Sequence, residues 1–580
     1  MKIFSKKKVI IGAILATLYF VVLLFTLSDY GINWDEPVHY IRGQAYLRFF
    51  LTGKDNYRGL LRLETSYARV YGRTLPTGIT FGDGGSPRRS IYQYDSEPNH
   101  LTYRWFLEND SGHPPLNGIL ASLSNYIFYQ KLGWLGDIQA YHLFIIGVTS
   151  IAVFAVFLFT SSLYGIFAGL IAVLSIALYP LLFSESHFNI KDPVEMAFYT
   201  FSIITFYFGI TKKSWKWLLL TGIAAGFALG TKLNIVFATF TVVSWVVIYK
   251  FKDISRFKWP FSKIITFSLF SIPIVALAIL FGTWPYLWQS PLNHFLLFVS
   301  YYKKLGTTFY QADSQVMFFG FNTYAVQWII YTTPLIILFL SIFGIMYVFT
   351  KGIKEKEKTS LFILFWFLVP IIRVIMPNAG IYGGIRQIME YIPAMAILAG
   401  IGAKYIAELL NYYIVKKFKI RALLLLQIVI VLSFIPITLK LISIHPNENV
   451  YFNPLIGGLS GAAERNFPDW GTTVGSAYKG GIDWINIHAE KNSKVALVNG
   501  LLSNIPRIFI RQDIYFHESH YSGNKKQGEY LMEVIDYRWN LNTPEAKKQY
   551  LETLVPVYEE KVDSVVILKI WKNDIQHSKK

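Results

Sequence analysis

The chain has 580 residues, 53% of them hydrophobic and only 16% charged, with a mean hydropathy of +0.37; that excludes an ordinary soluble protein and makes the bilayer its solvent. The formal net charge is +19, but the Lys and Arg residues sit between apolar segments instead of forming one stripe, which argues against nucleic acid as a partner. With no cysteine there is no disulfide framework and no thiolate metal site.

In chain order, MKIFSKKK and the apolar run Val9 to Leu27 read as an uncleaved first span. The run approaches the ~20 residues that cross ~30 Å of hydrocarbon, and no small-residue cleavage site follows it. A long hydrophilic loop, 28–137, comes next. Further apolar segments lie near 140–160, 164–183, 194–210, 217–233, 235–249, 263–283, 326–349, 360–376, 391–409 and 421–441, which predicts about eleven spans in all. The basic clusters are Lys2 with Lys6 to Lys8, Lys212 to Lys216, Lys250 to Lys263, 351–358 and 416–421. With that many spans they all fall on one face, which the positive-inside bias identifies as cytoplasmic. The first loop, a loop at 284–326, the tail and the C-terminus are then expected outside. Segment 291–305 is amphipathic and reads either as an interfacial helix or as a packed loop. The tail alternates β-type runs at 494–500, 507–510 and 564–570 with a helical stretch at 544–554, the pattern of a small α/β domain. The expected fold is therefore an α-helical polytopic membrane module, 1–441, followed by a small extracytoplasmic α/β domain, 442–580.

Several charged residues stand where a bilayer protein seldom places them. The first loop opens with Asp29 to His39, putting the adjacent acids Asp35 and Glu36 close to the membrane surface. Asp35, Glu36 and Pro37 also suit a helix start, so capping and chemistry both remain open. The loop ends in His113-Pro114-Pro115-Leu116, whose prolines impose an extended backbone behind His113. A short outer loop carries His187, Lys191, Asp192, Pro193 and Glu195, with Asp192 again placed as a cap. Two acids facing one site suit a base and its orienter; Asp35 and Asp192 with Glu195 or His187 would also suit a divalent cation, though the ligand set is incomplete. Lys232, Arg373 and Arg386 run against the positive-inside bias at outer span ends. A cation at bilayer depth costs roughly 2.5–3.5 kcal/mol on insertion scales, so each calls for a cavity, a partner or a ligand such as a lipid phosphate; snorkelling is the plainer account of any one of them.

The order of these elements, an acidic pair after the first span, HPPL, a second acid and then Thr231-Lys232, resembles the GT-C superfamily of polyprenyl-phosphate-sugar glycosyltransferases. The protein O-mannosyltransferase and aminoarabinose-transferase branch is the most similar. Trp34-Asp35-Glu36 with His39, and His113 to Leu116, are similar to two elements of the mannosyltransferase first loop. Segments 382–403 and 445–471 look like stretches common in bacterial members, with Gln387 where many have His and Asp469 directly before Trp470. The resemblance implies a multi-pass enzyme of the cell envelope. It would move a sugar with inversion from a polyprenyl-phosphate donor to a glycan, lipid or protein acceptor on the extracytoplasmic side. It also implies that Asp35 is the general base, that Glu36 belongs to the same catalytic element, and that Asp192 positions the acceptor or binds a metal. Lys191, Lys232, Arg373 and Arg386, with His113, are the residues expected to hold the lipid phosphate. A transporter or flippase of lipid-linked glycans is the alternative; broken helices with midplane charges and a repeat between halves would mark a transporter, and the sequence shows neither.

Overall fold

The computed structural model describes residues 4–58, 60, 88–93, 102–308, 315–353, 357–419, 422–500, 504–538 and 543–579. Much of the first loop therefore lies outside the described residues. Among them, eight helices are long and apolar enough to cross a bilayer, the first Lys6–Phe25 and the last Leu423–Ile444. Ile166–Ala177 and Pro180–Phe188, bent by 60°, cover the expected segment 164–183, and the shorter apolar helices Trp215–Leu229 and Leu233–Tyr249 cover the remaining two expected segments. Proline sets the breaks. Pro180 opens the second half of the bent pair, and Pro334 divides the segment expected as one span at 326–349 into Tyr324–Thr332 and Leu335–Tyr347.

Burial sorts the spans into a centre and a perimeter. In Asp192–Thr211, Tyr391–Phe418 and Asp137–Tyr164 the apolar window is 83%, 72% and 67% buried, against 17% in Lys6–Phe25, Lys263–Thr283 and Leu423–Ile444. The perimeter helices expose Phe267, Phe270, Ile274, Leu424, Leu425 and Ile442. Such a girdle of large apolar side chains is stable only against lipid. Small residues let central helices meet closely: a Cβ at Gly344 would lie 2.0 Å from the Leu398 carbonyl oxygen, and one at Gly402 1.9 Å from that of Leu340.

The outer loops are structured. Helix Glu36–Thr52 packs on Leu116–Asn125 so tightly that a Cβ on Gly43 would sit 2.1 Å from the Gly118 carbonyl oxygen. Segment 291–305 belongs to a helix, Pro291–Thr308. Beyond Ile444 the chain folds back onto the membrane helices, with Asn453 Nδ2 donating to the carbonyls of Ile330 at 2.6 Å and Thr333 at 2.8 Å.

A short hairpin, β1 (Met317–Phe318) and β2 (Phe321–Asn322), precedes a five-stranded sheet of β3 (Lys494–Leu497), β4 (Tyr515–Phe516), β5 (Tyr530–Val534), β6 (Pro556–Val562) and β7 (Val565–Lys572). The sheet order is β4-β3-β5-β7-β6. β3 runs parallel to β4 and β5, and β7 runs antiparallel to β5 and β6. Helix Tyr478–His488 covers one face, where a Cβ on Gly481 would meet Met532; Leu551 of helix Glu545–Glu552 joins Ala496, Leu531 and Trp571 on the other. The run 507–510, expected as a strand, is a 3-10 turn instead. The buried Arg507 guanidinium donates to the carbonyls of Ile510, Arg511 and Gln512, which curls the backbone and leaves no ladder to join.

Candidate active site

Both acids that suited helix caps leave that task to an asparagine. Asn33 Oδ1 accepts from Asp35 N at 3.0 Å, and the Asp35 side chain makes no cap bond. Asn189 Oδ1 accepts from both Lys191 N and Asp192 N at 3.0 Å, with Lys191 in the capping position and Asp192 inside the first turn. The acids' carboxylates are thereby available to other partners.

They turn toward one another's cations. Lys191 Nζ donates to Asp35 Oδ2 at 2.9 Å, and Lys232 Nζ donates to Asp192 Oδ1 at 2.7 Å. Arg386 Nη1 lies 3.4 Å from Asp35 Oδ2 and 3.0 Å from Asp192 Oδ2, joining the two pairs. Asn189 Nδ2 also donates to Asp192 Oδ2, at 2.9 Å. Four distant segments thus meet at one point, with two carboxylates against three cations. Asp192 is 1% exposed at its side chain and the three cations 8% each, whereas Asp35 keeps 38% of its surface open. Burial pushes the Asp35 carboxyl upward, but the Lys191 ammonium and Arg386 guanidinium prevail and hold it well below the usual carboxylate range. At Lys191, burial works against the charge while Asp35 and Asp192 raise its pKa, so the ammonium persists.

The carbonyl oxygen of Gln387 extends the cluster. It accepts from Lys232 Nζ at 3.2 Å, Asn234 Nδ2 at 3.0 Å and Arg373 Nη2 at 2.9 Å. Arg373 also lies 3.6 Å from Glu390 Oε1. A cavity of about 350 Å³ opens here, lined by Lys232, Tyr302, Lys303, Arg373 and Gln387 among others. Leu233 and Val236 line it and also a second, apolar groove of about 650 Å³ bounded by Ile203, Ala225, Val243 and Leu277. A cationic chamber therefore adjoins a greasy one.

The other sequence candidates are placed apart from the charged knot. Glu36 is fully buried, accepting from Asn33 N at 2.9 Å and Tyr40 Oη at 2.6 Å and facing His142 Nε2 at 3.2 Å. His187 bonds Thr26 Oγ1 at 2.8 Å and stacks on Tyr30. Glu195 is buried beside Glu390. His113 is bonded through Nδ1 to Tyr302 Oη at 2.6 Å and lies 3.3 Å from Tyr301 Oη through Nε2. Burial, then Lys191 and His39, hold its imidazole well below its ordinary pKa, so it is neutral. Arg42 fixes the HPP backbone: it pairs with Asp110 at 2.8 Å and donates to the carbonyls of His113 and Pro114. Sequence reading missed both Arg42 and Asp110, because nothing local marks an ion pair closed across 68 residues.

For a divalent cation the donor set does not fit. Among the described residues no group of three or more His, Asp or Glu side chains could hold a metal ion. The two converging carboxylates already meet three cations, which a metal would have to displace.

Residues 112–277 match the family model described as dolichyl-phosphate-mannose-protein mannosyltransferase. No curated protein matches the chain by sequence. Among solved structures, the chain is similar to ArnT from Cupriavidus metallidurans bound to undecaprenyl phosphate, at 13% identity and a TM-score of 0.48, over 98% of this chain and 99% of that one. It is also similar to the Archaeoglobus fulgidus oligosaccharyltransferase in the apo form, at 10% identity and a TM-score of 0.48, over 91% of this chain and 69% of that one. AglB from the same archaeon, in complex with an inhibitory peptide and a dolichol-phosphate, matches at 11% identity and a TM-score of 0.43, over 98% and 74%. The family-matched segment covers less than a third of the chain and holds His113, Lys191, Asp192 and Lys232.

Proposed function

We propose that the chain transfers a sugar from a polyprenyl-phosphate donor to an acceptor hydroxyl or amine, with inversion, at the extracytoplasmic surface. The observation that carries this reading is the meeting of Asp35, Lys191, Asp192, Lys232 and Arg386 beside a cationic cavity that continues into an apolar groove. A lipid-linked donor has that duality: a phosphate for Lys232, Lys303 and Arg373, and a prenyl chain for the groove. The acceptor's proton passes to Asp35 while its heteroatom attacks the anomeric carbon. The bond from that carbon to the phosphate oxygen breaks, and the electron pair leaves with the lipid phosphate. Arg386 and Lys232 stabilise the charge that gathers on the leaving oxygen. The low pKa of Asp35 keeps it ionised and ready to accept, and its basicity rises when the donor phosphate draws Lys191 and Arg386 away from it. Asp192 keeps Lys232 and Arg386 in position, and His113 braces the cavity wall through Tyr302.

The distribution of charge supports the orientation. Lys6 to Lys8 begin the span whose other end leads to Asp35, and Lys212 and Lys213 end the helix that Asp192 begins. In the same reading, 442–580 forms an extracytoplasmic domain over the site. The decisive experiment is release of polyprenyl phosphate from a synthetic polyprenyl-phosphate-mannose panel by the purified chain in nanodiscs, with envelope glycolipid extract as acceptor. Asp35→Asn is expected to abolish transfer, and full turnover in that variant removes Asp35 from the mechanism. Mass spectrometry of envelope glycans from cells with and without the gene identifies the sugar and acceptor.

A further inference from the structure

The far end of the chain brings one more cation to the same mouth. The Arg538 guanidinium carbon lies 5.7 Å from the ring centre of Trp34, the neighbour of Asp35, and 5.6 Å from that of Tyr382, which shares a turn with Arg386. Both distances are within cation–π reach. Trp34 is itself held from the C-terminal side: its backbone N–H donates to the Val474 carbonyl at 3.2 Å, and Gly475, at φ 91°, lets the indole close so tightly that a Cβ there would lie 2.2 Å from the indole nitrogen. Asp469 Oδ1 faces Arg538 Nη2 at 3.5 Å, while Asp469 Oδ2 accepts from Tyr324 Oη at 2.6 Å and from Gly383 N at 2.7 Å. A well-formed guanidinium–carboxylate fork closes to about 2.7–2.9 Å. Among the described residues, Asp469 therefore tethers Arg538 without saturating its planar row of donors, and the side chain remains 25% exposed.

Position decides which substrate this group meets. A Cβ on Gly383 would lie 3.2 Å from Arg538 Nη2 and 3.8 Å from Arg386 Nε, so the two guanidinium groups flank one turn. The other end of that turn, Gln387, lines the cationic cavity, and Arg538 does not. In an inverting displacement the attacking and leaving groups occupy opposite faces of the anomeric carbon.

Resting on the transfer reading above, we propose that Arg538, Trp34 and Tyr382 form the acceptor subsite, with the Arg538 fork gripping paired oxygens on the acceptor. A carboxylate, a phosphate and a vicinal diol all present that pair, and the aromatic faces pack against a sugar ring. Arg538 takes no part in the bond changes; it selects and orients what Asp35 deprotonates. The C-terminal region thereby completes the site.

The test is direct binding to the full chain in nanodiscs, read by saturation-transfer NMR with glucose 1-phosphate, glucuronate and methyl glucoside as probes. Wild-type protein is expected to bind at least one probe, and which one identifies the paired-oxygen group. Arg538→Gln and Arg538→Lys are both expected to weaken binding by roughly tenfold or more, since each loses charge-assisted hydrogen bonds of the fork. A purely structural role for the charge predicts that Arg538→Lys binds as wild type, and that result overturns the proposal, as does wild-type protein that binds none of the three. Turnover in Asp35→Asn addresses the transfer reading separately, because probe binding requires no reaction.

Discussion

Asp35 and Asp192 carry the same charge into one cluster but stand in different surroundings, so exchanging each for asparagine is expected to separate stability from turnover. Asp192 is 1% exposed and faces Lys232 at 2.7 Å and Arg386 at 3.0 Å. Coulomb's law at 2.7 Å gives about 6 kcal/mol at an effective dielectric of 20, before desolvation is subtracted. Removing one partner of such a buried pair costs about 3–5 kcal/mol because the remaining charges are stranded. Asp35, 38% exposed, is screened by water at its contacts with Lys191 and Arg386, and Arg386 retains Asp192 when Asp35 is gone. Its loss therefore costs about 1 kcal/mol or less, while loss of a general base lowers the rate by roughly 10²–10⁴-fold. Thermal unfolding in detergent and donor turnover in nanodiscs, measured on both variants, check the split. Asp35→Asn should unfold near wild type yet be inactive; Asp192→Asn should unfold markedly earlier, with Asp192→Asn/Lys232→Met recovering part of the loss. Equal destabilisation by the two single variants would refute the assignment of one acid to chemistry and the other to scaffolding.

Three further outcomes are expected. His445 faces Glu448 Oε1 at 2.8 Å and Asp29 Oδ2 at 3.0 Å, with Tyr30 Oη 3.3 Å away; although burial lowers its pKa, the two carboxylates more than offset this and raise it. A raised folded-state pKa gives stabilisation that is complete below the unfolded value of about 6.5 and is lost as pH climbs through the folded one, so denaturation midpoints at pH 5.5 and 8.5 should differ for wild type and converge for His445→Gln. Gly43→Ala should force the two outer helices apart, lowering stability by about 1–3 kcal/mol and turnover along with it, as seen by unfolding and activity on the same sample; unchanged values would mean the crossing is looser than the 2.1 Å approach implies. Lys303→Ala, at the rim of the cationic cavity, should raise the KM for donor with little change in kcat, and the effect should shrink at high salt.

The fold was largely legible because its signal is strong and local. Long apolar runs and basic clusters need no tertiary information, whereas the break at Pro334 and the turn at Arg507 depend on what each segment packs against. In the site, Lys232, Arg373 and Arg386 stood out because they violate a charge bias. Asp35 and Asp192 were harder, since an acid before a proline-led helix looks the same whether it caps or not; only the structure shows Asn33 and Asn189 supplying the hydrogen bonds. Glu36 and His187 looked equally chemical in sequence and are bound into packing partners. Arg538 carried no signal at all, because its neighbour Trp34 lies at the opposite end of the chain.

Helix Pro291–Thr308 links the outer surface to the charged cluster. One side presents Leu292, Leu296 and Leu297 outward, while Tyr301 and Tyr302 reach His113 and Lys303 reaches the cavity. Gly306 accepts from Gly380 N at 2.6 Å, coupling the same helix to the strand of chain that leads to Arg386. An apolar outer side and three contacts toward the charged cluster thus meet in one helix. On the transfer reading, turnover in nanodiscs is thus expected to change with the acyl-chain length of the surrounding lipid.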